Sequence, residues 1–394
     1  MRFVERALRA SLVRAARAFS ALLLTGPRRA GKTTLLRHTF PKASYHLLED
    51  PDVLARVRAD PRGFLDEVRL PAILDEVQNA PEILNYVRTR IDEAPSRKGR
   101  WFLTGSQESA LMRGATESMA GRAAVFHLLP LSVRESAKVS VLRGGFPEVI
   151  ARPSSALTWF RSYIQTYLER DVRSVSSIRD LATFRRFLAL LATRTGQILN
   201  KTDLAAPLSV SVPTITEWLG ILEVTGQIVL MPPFFENFGK RLIKSPKLYF
   251  VDPGLCCSLL GIESEQALKR SPFRGPLFEG FVVAEVVKQQ VNQGREREVY
   301  YFRDQQGLEV DLIVPAGAGR LWVIEAKATG TPTPAAAAPL QRLAAAIENY
   351  QVVRALVFQP TRHPPPFGTL LPGVAAMSVQ ELLERLDATG RPSS

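Results

Sequence analysis

The stretch Gly26-Pro27-Arg28-Arg29-Ala30-Gly31-Lys32-Thr33-Thr34 constrains this chain more than any other. Glycine, four residues, glycine, lysine and threonine is the spacing of a phosphate-binding loop. An apolar strand, Ala21-Leu22-Leu23-Leu24, leads in, and a helical run leads out to Arg37. Gly26 and Gly31 let the backbone turn its N–H groups inward on phosphate, and the helix opening near Lys32 adds its positive end. Lys32 is placed to reach the β- and γ-phosphates, and the Thr33 hydroxyl to bind Mg²⁺. The nucleotide expected of such a cradle is ATP.

From residue 21 to about 133, apolar strands alternate with amphipathic helices, the pattern of a parallel sheet with helices on both faces. A helix from Leu54 to Val68 is broken by Pro61 and Gly63. Ala72-Ile73-Leu74 closes in Asp75 and Glu76, two acids at a strand end. In that place Asp75 holds the Mg²⁺, and Glu76 orients and deprotonates the attacking water. After a helix over Pro81–Ala94, the strand Trp101-Phe102-Leu103 ends in Thr104-Gly105-Ser106. There Thr104 and Ser106 either polarise the attacking water or simply cap the strand. Arg122, ahead of a strand over Ala124–Leu129, sits as an arginine finger would, acting on a neighbouring subunit's nucleotide. That role makes the working form a homo-oligomer.

Residues 134 to about 195 carry helical periodicity, with Leu157, Phe160, Tyr163, Ile164, Tyr167 and Leu168 as a core stripe. Arg161, Arg170, Arg173, Arg179, Arg185, Arg186 and Arg194 form either a solvated face or a polyanion-binding surface. Thr202–Ala205, a turn at Leu208–Ser211 and a helix from Pro213 give a helix-turn-helix, with Gln227–Met231 and Lys247–Val251 as the strands of a wing. Lys240, Arg241, Lys244 and Lys247 on that hairpin are expected to neutralise phosphates without reading sequence. The exposed face of the second helix, Thr214, Thr216 and Glu217, offers no Arg or Lys to a guanine edge. A lid or a subunit contact is the alternative use of such a unit.

Toward the C-terminus a helix over Pro276–Gln290 carries Glu279 and Glu285, and three strands follow. They bring Asp311 in Gly307–Ile313, then Glu325 and Lys327 in Leu321–Lys327. Glu325 and Lys327, two apart on a strand, share a face. Asp311 and Glu325 suit a Mg²⁺ that polarises a phosphodiester and acidifies water, and Lys327 suits the developing charge. Glu279 is the helical acid chosen to complete the site. Ala328–Pro339, rich in Thr, Pro and Ala, reads as a flexible connection before a helix over Leu340–Asn349, a strand over Val352–Phe358 and a last helix over Ser378–Leu386.

The motifs at residues 26–34, 74–78, 103–106 and 120–122, with Gly144–Glu148, Tyr163–Asp171 and Lys244–Phe250, resemble one family over nearly the whole chain. It is the family of prokaryotic AAA-type P-loop ATPases with a nuclease-like C-terminal domain. The resemblance implies an ATP-binding core, a winged-helix middle and a restriction-endonuclease-like end, with Asp311, Glu325 and Lys327 as a PD-(D/E)xK core. The expected α/β architecture is therefore a P-loop ATPase domain at 1–133, a helical linker and winged helix at 134–260, and a nuclease-like α/β domain at 261–394.

Charge and composition narrow the function classes. Lys and Arg number 51 against 38 acids, a net charge of +13, which favours a polyanion partner such as DNA. Cys256 and Cys257 are adjacent, so no loop-closing disulfide or zinc spacing exists, and a reducing cytoplasm fits. The four histidines are dispersed and form no metal-ligand pattern. No apolar run approaches the ~20 residues of a membrane helix. Two functions remain in view: an ATP-driven DNA-processing protein with a metal-dependent nuclease, or an ATP-dependent switch or scaffold whose nuclease-like domain is inactive.

Overall fold

Short apolar runs bounded by turns make strands buried on both faces, and three such runs build the centre of the first sheet. The computed structural model describes residues 3–105, 119–168, 181–234, 244–317, 319–359 and 371–390. Ser106, Arg170, Arg173, Arg179, Lys240 and Arg241 lie outside them. The chain begins α1 (Arg9–Ala18), β1 (Ala21–Thr25), α2 (Lys32–Thr39), β2 (Ser44–Leu47), α3 (Pro51–Ala59), α4 (Pro61–Glu67), β3 (Ala72–Asp75), α5 (Ile83–Glu93), β4 (Trp101–Thr104) and β5 (Ala123–His127). The strands lie in the order β2-β3-β4-β1-β5, and every pairing is parallel. β1, β3 and β4 are buried throughout. The break expected between α3 and α4 falls at Asp60, whose side chain accepts from the Gly63 amide and caps α4.

The middle region holds α6 (Pro147–Ala151), α7 (Ala156–Tyr163), α8 (Leu181–Ala192), α9 (Lys201–Ala205), α10 (Val212–Val224), an antiparallel pair β6 (Ile228–Met231) and β7 (Lys247–Phe250), then α11 (Pro253–Leu259) and α12 (Glu265–Arg270). Helix, turn, helix and ribbon follow in the expected order. Ser211 caps α10 through the Thr214 amide, and Thr216 and Glu217 stand exposed on it. Cys256 and Cys257 are buried and free.

The last part consists of α13 (Arg274–Asn292), β8 (Tyr300–Arg303), β9 (Glu309–Ala316), β10 (Arg320–Lys327), α14 (Ala338–Ala344), β11 (Gln351–Phe358), β12 (Val374–Met377) and α15 (Val379–Gly390). Its sheet runs β12-β11-β10-β9-β8, antiparallel from β8 to β10 and parallel from β10 to β12. Alternation along β10 splits the core: Leu321 and Val323 pack with Leu340 and Leu343 of α14, while Trp322, Ile324 and Ala326 pack with α13 and α15. The stretch expected to be a flexible connection instead forms a 3₁₀ turn at Pro334–Ala337 that runs into α14, with Ala337 fully buried.

One apolar cluster extends from Leu129 to Leu386, joining the middle region to the inner face of the second sheet. Among the described residues no helix is long and apolar enough to cross a membrane.

Candidate functional site

The loop from β1 to α2 is shaped by two glycines. Gly26 has φ 136° and lies so close to the next strand's exit that a Cβ would stand 2.2 Å from the Leu128 carbonyl oxygen. Gly31 has φ 98° and caps α2 in a left-handed conformation. Lys32 folds across the loop and donates to the Gly26 and Pro27 carbonyls at 2.9 and 3.1 Å. The loop borders a cavity of about 780 Å³ whose walls include Arg28, Arg29, Lys32, Thr33, Asp75 and Glu76.

Parallel register brings the end of β3 beside this loop. The Thr33 hydroxyl donates to the buried Asp75 carboxylate at 2.8 Å, Tyr45 donates to it at 2.7 Å, and Thr104 donates as well. Burial, then the bond to Asp75, pushes the Tyr45 phenol well up. A hydroxyl and a carboxylate side by side are the hard oxygen donors that Mg²⁺ takes, so this donor set fits that ion. Glu76 turns sharply out of β3 at φ 57°, with its amide held by Thr104 Oγ1 at 3.2 Å and its carboxylate by Gln78 Nε2. Thr104 thus links the Asp75 carboxylate to the Glu76 amide.

Arg6, which the sequence reading passed over, braces the loop from behind. Its guanidinium, 5% exposed, donates to Ala30 O at 2.9 Å, Leu129 O at 2.6 Å and Glu135 Oε1 at 2.9 Å. Glu135 also accepts from the Ala7 and Ser132 amides.

A second constellation lies on the C-terminal sheet. The Ala326 amide, between Glu325 and Lys327, donates to Asp311 Oδ2 at 2.9 Å, and Lys327 donates to Glu325 Oε1 at 2.5 Å. Glu325 Oε2 is buried with no hydrogen-bond partner. Glu279 arrives from α13 and accepts from Lys247 at 3.0 Å and from Tyr249. Lys247 also pairs with Glu309 at 2.5 Å and lies 4.0 Å from Asp311. Burial and the charge of Asp311 push Glu279 up to about 8 and Glu325 up to about 7. Burial raises Asp311 too, against the pull of Lys247 and Lys327. Burial would lower Lys247, but Glu279, Asp311 and Glu309 carry it above the ordinary lysine range.

Residues 18–137 match the AAA domain family, and residues 134–266 and 274–382 match two domains of unknown function, DUF8612 and DUF4143. Two uncharacterized mycobacterial proteins, Rv2008c of Mycobacterium tuberculosis and Mb2031c of Mycobacterium bovis, are each 33% identical over 392 residues, spanning 96% of this chain and 86% of theirs. The chain belongs to their family. Its N-terminal part is an AAA-type P-loop ATPase domain. Similar solved structures include the Walker-type ATPase PABY2304 of Pyrococcus abyssi, with 16% identity, 64% of this chain and 94% of that one covered, and a TM-score of 0.42. Another is Thermotoga maritima RuvB T158V, with 18% identity, 57% and 86% covered, and a TM-score of 0.30.

In this AAA-type protein the expected residues separate into four fates. Arg28 to Thr34, Asp75 and Glu76 meet around one cavity, with Gly26 and Pro27 behind it bonded to Lys32, and Asp311, Glu325 and Lys327 meet on the second sheet. Arg122 precedes β5 at the N-terminal edge of the first sheet, about 16 Å from the loop at ~3.3 Å per strand residue. There it makes a two-pronged ion pair with Asp92 at 2.6 and 2.9 Å. Ser106 falls outside the described residues. Lys247, expected to meet phosphate, is 2% exposed and surrounded by carboxylates, while Lys244 is exposed.

Proposed function

We propose that this ATPase acts on DNA and that its C-terminal sheet carries a metal-dependent phosphodiester-cleaving site of the PD-(D/E)xK kind. At the first sheet, Lys32 and the loop amides bind the ATP phosphates, Thr33 and Asp75 hold Mg²⁺, and Glu76 orients the attacking water. At the second, Asp311 and Glu325 hold the metal ion and Lys327 faces the charge that develops on the phosphate. Mg²⁺ bound there supplies a polarised phosphate and an acidified water. The observation that carries the reading is Glu325 Oε2, a buried carboxylate oxygen without a partner beside Asp311 and Lys327, which a divalent ion would satisfy. The net charge of +13 and the exposed Lys244 favour backbone contacts on DNA, nonspecific or structure-specific. A homo-oligomer is the form in which such a motor would work.

Paired ATPase and DNA-cleavage assays on wild type, Lys32→Ala and Lys327→Ala, with linear, branched and single-stranded DNA in Mg²⁺ or Mn²⁺, test the reading. Lys327→Ala should abolish cleavage and keep ATP turnover. Absence of cleavage of every DNA form by wild type would sink the nuclease half.

A specific observation favours the second reading, an ATP-dependent switch or scaffold with an inactive nuclease-like domain. Among the described residues no group of three or more His, Cys, Asp or Glu is arranged to hold a metal, and a lysine ammonium occupies the carboxylates around Glu279. Nucleotide-dependent assembly indifferent to Glu325→Ala would support it.

A further inference from the structure

Lys247 stands where a cation of the acidic site would stand. Its ammonium lies 3.0 Å from Glu279, 2.5 Å from Glu309 and 4.0 Å from Asp311, over the Tyr301 ring. Tyr249, two residues along the same face of β7, donates to the same Glu279. A lysine and a divalent ion cannot share those few ångströms, because like charges in a poorly solvated place repel strongly. We propose that Lys247 is the resident cation of this site and competes with the metal for it, so that a divalent ion binds tightly only when the ammonium turns away. The inference rests on the reading of Asp311 and Glu325 as metal ligands.

Two features say what draws the ammonium off. Leu248, Tyr249 and Phe250 are buried in the shared core, so β7 stays in place and only the flexible lysine stem moves. An arriving phosphodiester is an anion that the released ammonium can pair with, which makes the substrate itself the release signal. The strand is also tied to the middle region. Leu199 N donates to Pro246 O at 2.8 Å, Gly196 N to Leu248 O at 2.8 Å and Leu248 N to Gln197 O at 3.1 Å, just ahead of α9.

The test is a Mn²⁺ titration of the nucleotide-free full chain, followed by electron paramagnetic resonance, on wild type, Lys247→Met and Lys247→Met with Asp311→Asn. Lys247→Met should gain one Mn²⁺ with an affinity at least about tenfold above wild type, and the Asp311→Asn change should remove that gain. Equal binding by wild type and Lys247→Met, or a gain that survives Asp311→Asn, would overturn the proposal. Should Lys247→Met fail to keep its ATPase activity, wild type alone decides. A phosphorothioate oligonucleotide should then raise its Mn²⁺ affinity about tenfold, and no change overturns the idea. Cleavage by wild type with unmoved Mn²⁺ affinity in Lys247→Met would defeat the competition and leave the nuclease reading intact. A gain in Mn²⁺ affinity without cleavage by any variant would uphold the competition and defeat the nuclease.

Discussion

Thr33 Oγ1 lies 2.8 Å from Asp75 Oδ2, joining the first turn of α2 to the last residue of β3. The two elements that must act on one nucleotide are thus in register, with Lys32 on one and Glu76 following the other.

Lys32 makes hydrogen bonds to two loop carbonyls that a phosphate would replace with charge-assisted ones. Lys32→Ala should weaken ATP binding by about 100-fold or more, on the ~1.5–3 kcal/mol of each bond to a charged group. A fluorescent-nucleotide titration measures it, and unchanged affinity would remove Lys32 from the site.

Glu76 has a different expected signature. Its left-handed backbone and Gln78 contact set the carboxylate beside the cavity, so Glu76→Gln should retain ATP while turnover falls by about 10²–10⁴-fold. Single-turnover kinetics separate the two effects. Hydrolysis at the wild-type rate would assign the base elsewhere.

Arg6 holds the phosphate loop, the exit of β5 and Glu135 together from a buried position. Arg6→Met leaves Glu135, whose side chain is 2% exposed, without its counter-ion, a loss of about 3–5 kcal/mol. The first thermal transition should drop, and adding Glu135→Leu should restore much of it. A midpoint unmoved by Arg6→Met would contradict this account.

His127 contributes one part of the pH dependence. It is hydrogen-bonded to Thr25 at 2.6 Å, and burial with the Arg297 charge pulls it down to about 4. Its folded pKa is below the unfolded value of 6.5, so the unfolded chain binds the extra proton first. The contribution of His127 to stability is full above about 6.5 and is lost as pH falls toward about 4, by up to ~3 kcal/mol, while the raised Glu279 and Glu325 act in the opposite sense. His127→Gln should flatten that slope in thermal melts between those values, and an unaltered slope would place the titration on another group.

The first sheet was legible because its signals are local: Gly26, Gly31, Lys32 and Thr33 are neighbours, and Asp75-Glu76 closes a strand. Lys247 was misread because burial is not local. It follows the exposed Lys244 by three positions, while its partner Glu279 lies 32 residues on. Arg6 was hidden the same way, in an Arg-rich leader, with Glu135 separated from it by 129 residues. Thr, Pro and Ala between 328 and 339 carried the composition of a linker, yet alanine also fits tightly packed places, and Ala337 fills one. Arg122 lies at the N-terminal end of β5, away from its own phosphate loop and paired with Asp92, so the part it was expected to play on a neighbouring subunit's nucleotide is not one that a single chain displays.

Helix α13 ties both centres to one rod. Glu285 accepts from the Val133 amide and, with Lys288 bridging to Leu131 O, grips the segment that leaves the ATPase sheet. Glu279 stands six residues earlier, about 9 Å along the axis at ~1.5 Å per residue. The helix is buried along nearly its whole length, so it has little freedom to bend. A shift of the 131–133 segment during the nucleotide cycle would reach the Glu279–Lys247 pair as a push of the same size, making α13 a connecting rod rather than a spring.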